Sequence, residues 1–73
     1  MMRNRYKVPK SQWKKWNESE KVMFVDLMDT MLWDQQVFTH PKMGIIPAKY
    51  WRTTAWNAAW MTADLMRERR LAK

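Results

Sequence analysis

The stretch PAKYWRTTAWNAAWMTADLMRERR, from Pro47 to Arg70, decides how this chain folds. It reads as one long helix, with Thr53 the place for a break. Pro47 stands first, where a missing backbone N–H costs nothing. At 100° per residue, Ala55, Trp56, Ala59, Trp60, Ala63 and Met66 fall on one face. Trp51, Ala58, Met61 and Leu65 fall on nearly the opposite face. Thr53, Asn57 and Asp64 form only a narrow polar strip between them. A helix apolar over more than half its circumference needs cover on two sides. A chain of 73 residues supplies one cover readily and two only with difficulty. Either this helix is the axis of the domain, or one of its faces waits for a partner.

Toward the N-terminus, Asn17-Glu18-Ser19-Glu20 matches a capping box, with Asn17 at N-cap and Glu20 at N3. The helix it starts is expected over about residues 18–36. Met23, Phe24, Leu27, Met28, Met31 and Leu32 line its core side. Asp26 and Asp29 share the other side with Trp33 and read as a solvated acidic face. Trp33 is either covered by the N-terminal segment or exposed for binding. Ser11 can cap a short turn over residues 11–16, which sets Trp13 and Trp16 at i, i+3. That pair either closes the end of the core or, beside Lys14 and Lys15, anchors a partner. Residues 1–10 are charged, lack apolar periodicity and contain Pro9, so a flexible basic arm is expected there. Between the main helices, residues 37–46 read as an ordered loop. The His40-Pro41 step and Gly44 shape it, and Phe38, Ile45 and Ile46 pack over the core. The expected fold is therefore all-α: an arm over 1–10, then one helical domain over 11–73 whose last helix spans about 47–70.

Composition narrows the function. With no cysteine there is neither a disulfide nor a Cys-based zinc site, and the single histidine, His40, has no second histidine to share a metal with. Neither a glycine-rich phosphate loop nor a Ser/His/Asp set is present, so no catalytic residue, metal or cofactor is expected and the chain reads as no enzyme. No apolar run exceeds four residues, so neither a signal segment nor a membrane span is expected. The formal charge is +7, from 14 basic and seven acidic residues. Its distribution is uneven. Residues 1–17 hold six basic groups and no acid, the middle is acidic, and residues 42–73 are basic again. Two basic ends attract an anionic partner, whether nucleic acid, acidic protein or lipid headgroup.

Three classes of function follow. A protein-binding regulator would use the over-apolar helix, Trp33, and the segment Arg3-Asn4-Arg5-Tyr6-Lys7-Val8 with Lys10 and Lys14. Arg67, Arg69 and Arg70 would add a second contact. Trp, Tyr, Met and Arg are the types enriched at interface centres. A nucleic-acid binder would use Lys49, Arg52, Thr53 and Asn57, making non-specific phosphate contacts. The connector is too long for a helix-turn-helix, and Asp64 and Glu68 repel phosphates. A membrane-surface helix fits least, because the tryptophans spread around the circumference.

The segments VPKSQWKKWNESEKVMFVDLMDTM, FTHPK and YWRTTAWNAAWMTADLMR together resemble a family of small proteins encoded by tailed phages. The likeness runs from Val8 to Arg67. In size and character the chain is similar to the small transcription regulators of Xanthomonas phages that bind host RNA polymerase. The resemblance implies a non-enzymatic inhibitor, and a monomer acting in the host bacterial cytoplasm is expected. It would engage the β′ and β subunits and interfere with σ-factor engagement, with an added effect on termination. It implies no contact residues for individual positions of this sequence.

Overall fold

A computed structural model describes residues 2–34, 39, 40, 42 and 44–72. Among the described residues the fold is a small, mostly helical single domain with three α-helices, two of them long. Helix α1 spans Lys10–Lys15, α2 spans Glu18–Trp33 and α3 spans Trp51–Leu71.

The capping box forms as the sequence requires. The Glu20 N–H donates to the Asn17 side chain at 2.9 Å, and the Asn17 N–H donates to Glu20 Oε1 at 3.0 Å. At its other end α2 stops at Trp33, because Asp34 turns extended while its N–H still reaches the Thr30 carbonyl. The expected continuation to Gln36 is thus cut short at Asp34, and residues 35–38 lie outside the described part. That includes the expected packing of Phe38. Pro47 leads into a single 3-10 turn over Ala48–Tyr50, so the break in the last helix falls before Trp51 and not at Thr53. Helix α1 starts one residue early, at Lys10 behind Pro9, and Ser11 caps nothing. In the connector, Thr39 and His40 pair antiparallel with Ile45 and Gly44, and Gly44 takes φ 80°. Ile46 is half-buried there, whereas Ile45 points outward and does not pack over the core as expected.

Helices α2 and α3 run antiparallel, since Glu20 at the start of one meets Arg70 at the end of the other. Ala55, Ala59 and Ala63 are fully buried in this seam. Their spacing of four puts them on one line, and their single methyl groups let the helix backbones approach closely. The volume they leave is filled by rings. Phe24 stands with its ring centroid 5.1 Å from Trp16 and 5.3 Å from Trp56, and Trp16 lies 5.2 Å from Trp60. Helix α1 carries Trp16 into this cluster and lies against α3. The Trp16 indole N–H donates to Asp64 at 3.0 Å, and the Gln12 amide donates to the same oxygen at 3.3 Å. Asp64, expected on a polar outer strip, is therefore largely committed to holding α1.

The N-terminal segment departs furthest from expectation. It is not a free arm but a strap packed on the body. Asn4 closes a turn by bonding Val8 twice, donating to its carbonyl at 2.7 Å and accepting from its N–H at 2.9 Å. That turn drives Val8 into the core. It also brings the Tyr6 hydroxyl and the Arg5 guanidinium onto Asp29, with the Tyr6 ring edge-on to Phe24. Deleting residues 1–10 would therefore strip side chains from the core as well as charge from the surface. The turn has one strained position, Lys7, at φ 59°. A non-glycine residue there costs about 1–2 kcal/mol, partly offset by the chain entropy that glycine loses on folding. Lys7→Gly is expected to raise stability by about 0.5–1 kcal/mol in a urea titration. A loss would mean that the Lys7 side chain contributes contacts outweighing its strain.

Candidate functional site

The outer side of α3 is where the fold leaves apolar surface uncovered. Helix α2 covers the alanine line and α1 covers part of the flank, and no further element of the described chain crosses the rest. Met61 remains 64% exposed and Leu65 55% exposed. Trp56 and Trp60 are half-buried, each with one side in the core cluster and the other toward this surface. Three hollows follow one another along the helix. Arg52, Thr53 and Trp56 line the first, of about 180 Å³. Trp56, Asn57, Trp60 and Met61 line the second, of about 430 Å³, and Met61, Asp64, Leu65 and Glu68 the third, of about 240 Å³. Trp56 is shared by the first two and Met61 by the last two, so they form one groove.

The residues expected to meet a partner divide into two groups. Arg3, Lys7, Lys10, Lys14, Trp33 and Arg69 are exposed, and Trp33 is so to 86%. Lys49, Arg52, Thr53 and Asn57 are exposed as well, at the start of α3 and just before it. Others are used inside the fold. Val8 is in the core, while Arg5 and Tyr6 are bound to Asp29. Arg70 donates to Glu20 through Nε at 2.7 Å and Nη2 at 3.1 Å, and through Nη2 to the Lys15 carbonyl at 3.2 Å. It ties the end of α3 to the end of α1 and the start of α2. Arg67 is half-buried, with its Nε enclosed and lacking a hydrogen-bond partner. Of the C-terminal basic turn, only Arg69 is presented outright.

These internal pairs fix the electrostatics. The Arg70 guanidinium, with help from the Asn17 N–H, holds the buried Glu20 carboxyl below its ordinary range. The Tyr6 hydroxyl, followed by Arg5, does the same for Asp29. Burial and the neighbouring Asp29 push the Tyr6 phenol up, and Glu20 raises Arg70. Because both carboxyls are depressed in the fold, their contribution is complete above the unfolded carboxylate range. As pH falls below about 4, the unfolded chain takes up protons first and stability drops. Urea midpoints should match at pH 7 and 5 and fall at pH 3, and Glu20→Gln should flatten part of that fall. A flat profile in the unaltered protein would show that neither carboxylate is held by its partners.

Sequence reasoning placed Met61 and Leu65 on a second apolar face but did not count them, or Trp56 and Trp60, among the partner-binding residues. The signal was the same 3.6-residue period that defined the buried face. Among the described residues, no group of three or more His, Asp or Glu side chains is arranged to hold a metal ion. No described helix is long and apolar enough to cross a membrane. No family model, curated protein or solved structure matches this chain.

Proposed function

We propose that this protein is a phage-encoded, non-enzymatic transcription regulator that binds host bacterial RNA polymerase. It engages the β′ and β subunits in the host cytoplasm, inhibits initiation by interfering with σ-factor engagement, and can also act on termination. The observation that carries a binding role is the groove on α3. A small domain that has already buried Trp16 and Phe24 still presents Met61, Leu65 and the outer sides of Trp56 and Trp60. Exposed apolar surface with aromatic and methionine side chains is characteristic of protein interfaces. The choice of polymerase as partner comes from the family resemblance of residues Val8 to Arg67. The net charge of +7 suits an acidic surface on the partner and steers encounter. Trp33 is a candidate second anchor at the far end of α2.

The exposed cations Arg3, Lys7, Lys10 and Lys14 favour a second reading, non-specific contact with nucleic-acid phosphates. One experiment separates the two. Purified polymerase core and holoenzyme are passed over the immobilised protein, and duplex DNA binding is measured at two salt concentrations. Retention of core with loss of σ from the holoenzyme is expected. DNA binding that collapses with salt, without polymerase retention, would overturn the proposal in favour of the second reading.

A further inference from the structure

The α3 groove carries the same pattern from either end. Counted outward from a point between Trp60 and Met61, those two residues face each other, Trp56 falls opposite Leu65, and Tyr50, just ahead of the helix, falls opposite Leu71. All six are half-buried or exposed, so each still has apolar surface to cover. The polar positions pair off as well, Asn57 with Asp64 and Thr53 with Glu68. Charge reverses along the groove: Arg52 lines its first hollow, and Asp64 and Glu68 line its last, about 24 Å between Arg52 and Glu68 along the axis. We infer that in the free protein this groove is filled by the α3 groove of a second copy, laid antiparallel about a twofold axis between Trp60 and Met61.

A twofold interface uses the same patch on both copies, so the patch has to complement itself. Antiparallel pairing achieves this here. Trp56 of each copy meets Leu65 of the other, and Trp60 meets Met61, so apolar surface is covered twice over. The Arg52 end of each helix comes to the Glu68 end of the other, and the positive start of each helix dipole lies beside a negative end. Parallel pairing would set Arg52 beside Arg52 and Glu68 beside Glu68. Two terms limit the strength. Polar side chains in such a seam fix its register at a cost in stability, and two bodies of +7 repel each other. At physiological salt the screening length is about 8 Å, so cations away from the contact count for little while those in it still count. The pair is therefore weak and reversible. It also covers the face assigned to polymerase, which makes the single copy the binding form and the pair a masked store. That consequence rests on the polymerase-binding reading, whereas the pairing itself does not.

The test uses the purified protein alone, by sedimentation velocity over rising concentration in about 0.15 M salt. A monomer–dimer equilibrium is expected, with a dissociation constant on the order of 10–100 µM. Arg52 and Glu68 are both exposed, so Arg52→Glu and Glu68→Arg should fold as the parent does. Each should weaken association about tenfold, since each sets like charges together at both ends of the pair. An equimolar mixture of the two variants should associate as the parent does, because every end then joins a cation to a carboxylate. That recovery also shows that both variants are folded. A single species of monomer mass at every concentration would overturn the inference and leave the polymerase proposal standing. So would a dimer that either variant leaves within twofold of the parent, or a mixture that associates no better than its parts. Failure of the dilute protein to bind core polymerase would instead remove the proposed function, and the pairing would stand on its own measurement.

Discussion

Replacing Phe24 with alanine is expected to remove about 3–5 kcal/mol of folding stability. Phe24 is fully buried, and its ring meets Tyr6, Trp16, Trp56 and Trp60, so it joins the strap, α1 and α3 to α2. A chain of 73 residues, at about 0.05–0.15 kcal/mol per residue, holds roughly 4–11 kcal/mol in total. The single change therefore takes a large share of the whole, and the urea midpoint should fall accordingly. Rigid alanine-lined helix packing cannot collapse to fill the space, because Ala55, Ala59 and Ala63 have no further side chain to move. A loss below about 1 kcal/mol would show that the ring cluster is not what holds the four segments together.

Trp16→Ala is expected to cost a similar amount, about 3–5 kcal/mol, for two separable reasons. The indole fills space against Phe24 and Trp60, and its N–H satisfies Asp64. Trp16→Phe keeps most of the first and removes the second. It should cost less, about 1–2 kcal/mol, since Asp64 retains the Gln12 donor and partial access to water. Equal losses for the two variants would mean that ring packing contributes nothing beyond the hydrogen bond. Because Trp16 and Phe24 touch, the double alanine variant should be less destabilised than the sum of the singles.

The parts of this fold that were legible in the sequence are those set by local rules. The capping box fixed the start of α2, and helical periodicity fixed the two apolar sides of α3. Periodicity also placed Trp33 off the core, where it is exposed. The parts that were not legible join residues distant in sequence. Tyr6 and Asp29 are 23 residues apart, Trp16 and Asp64 are 48 apart, and Glu20 and Arg70 are 50 apart. Nothing in the charged, aperiodic segment Met2–Lys7 signals a strap. Its order depends on the Asn4 side chain bonding Val8 and on Asp29 standing opposite. The same long-range pairs explain why some of the residues expected to meet a partner are engaged within the fold. Composition cannot distinguish an arginine that is presented from one that is consumed, and Arg5 and Arg70 are consumed within the fold. The face of α3 was visible as an apolar surplus, yet whether α1 or the strap would cover it was decided by packing.

The most direct test of the central claim is oxidative footprinting of the methionines with and without excess purified polymerase core. In the free protein, Met61 is open to dilute peroxide while Met28 is fully enclosed and serves as the internal reference. If the α3 groove is the polymerase-binding face, formation of sulfoxide at Met61 should slow sharply in the complex, with Met28 unreacted in both. Oxidation of Met61 at the same rate in a complex shown to form would contradict the account.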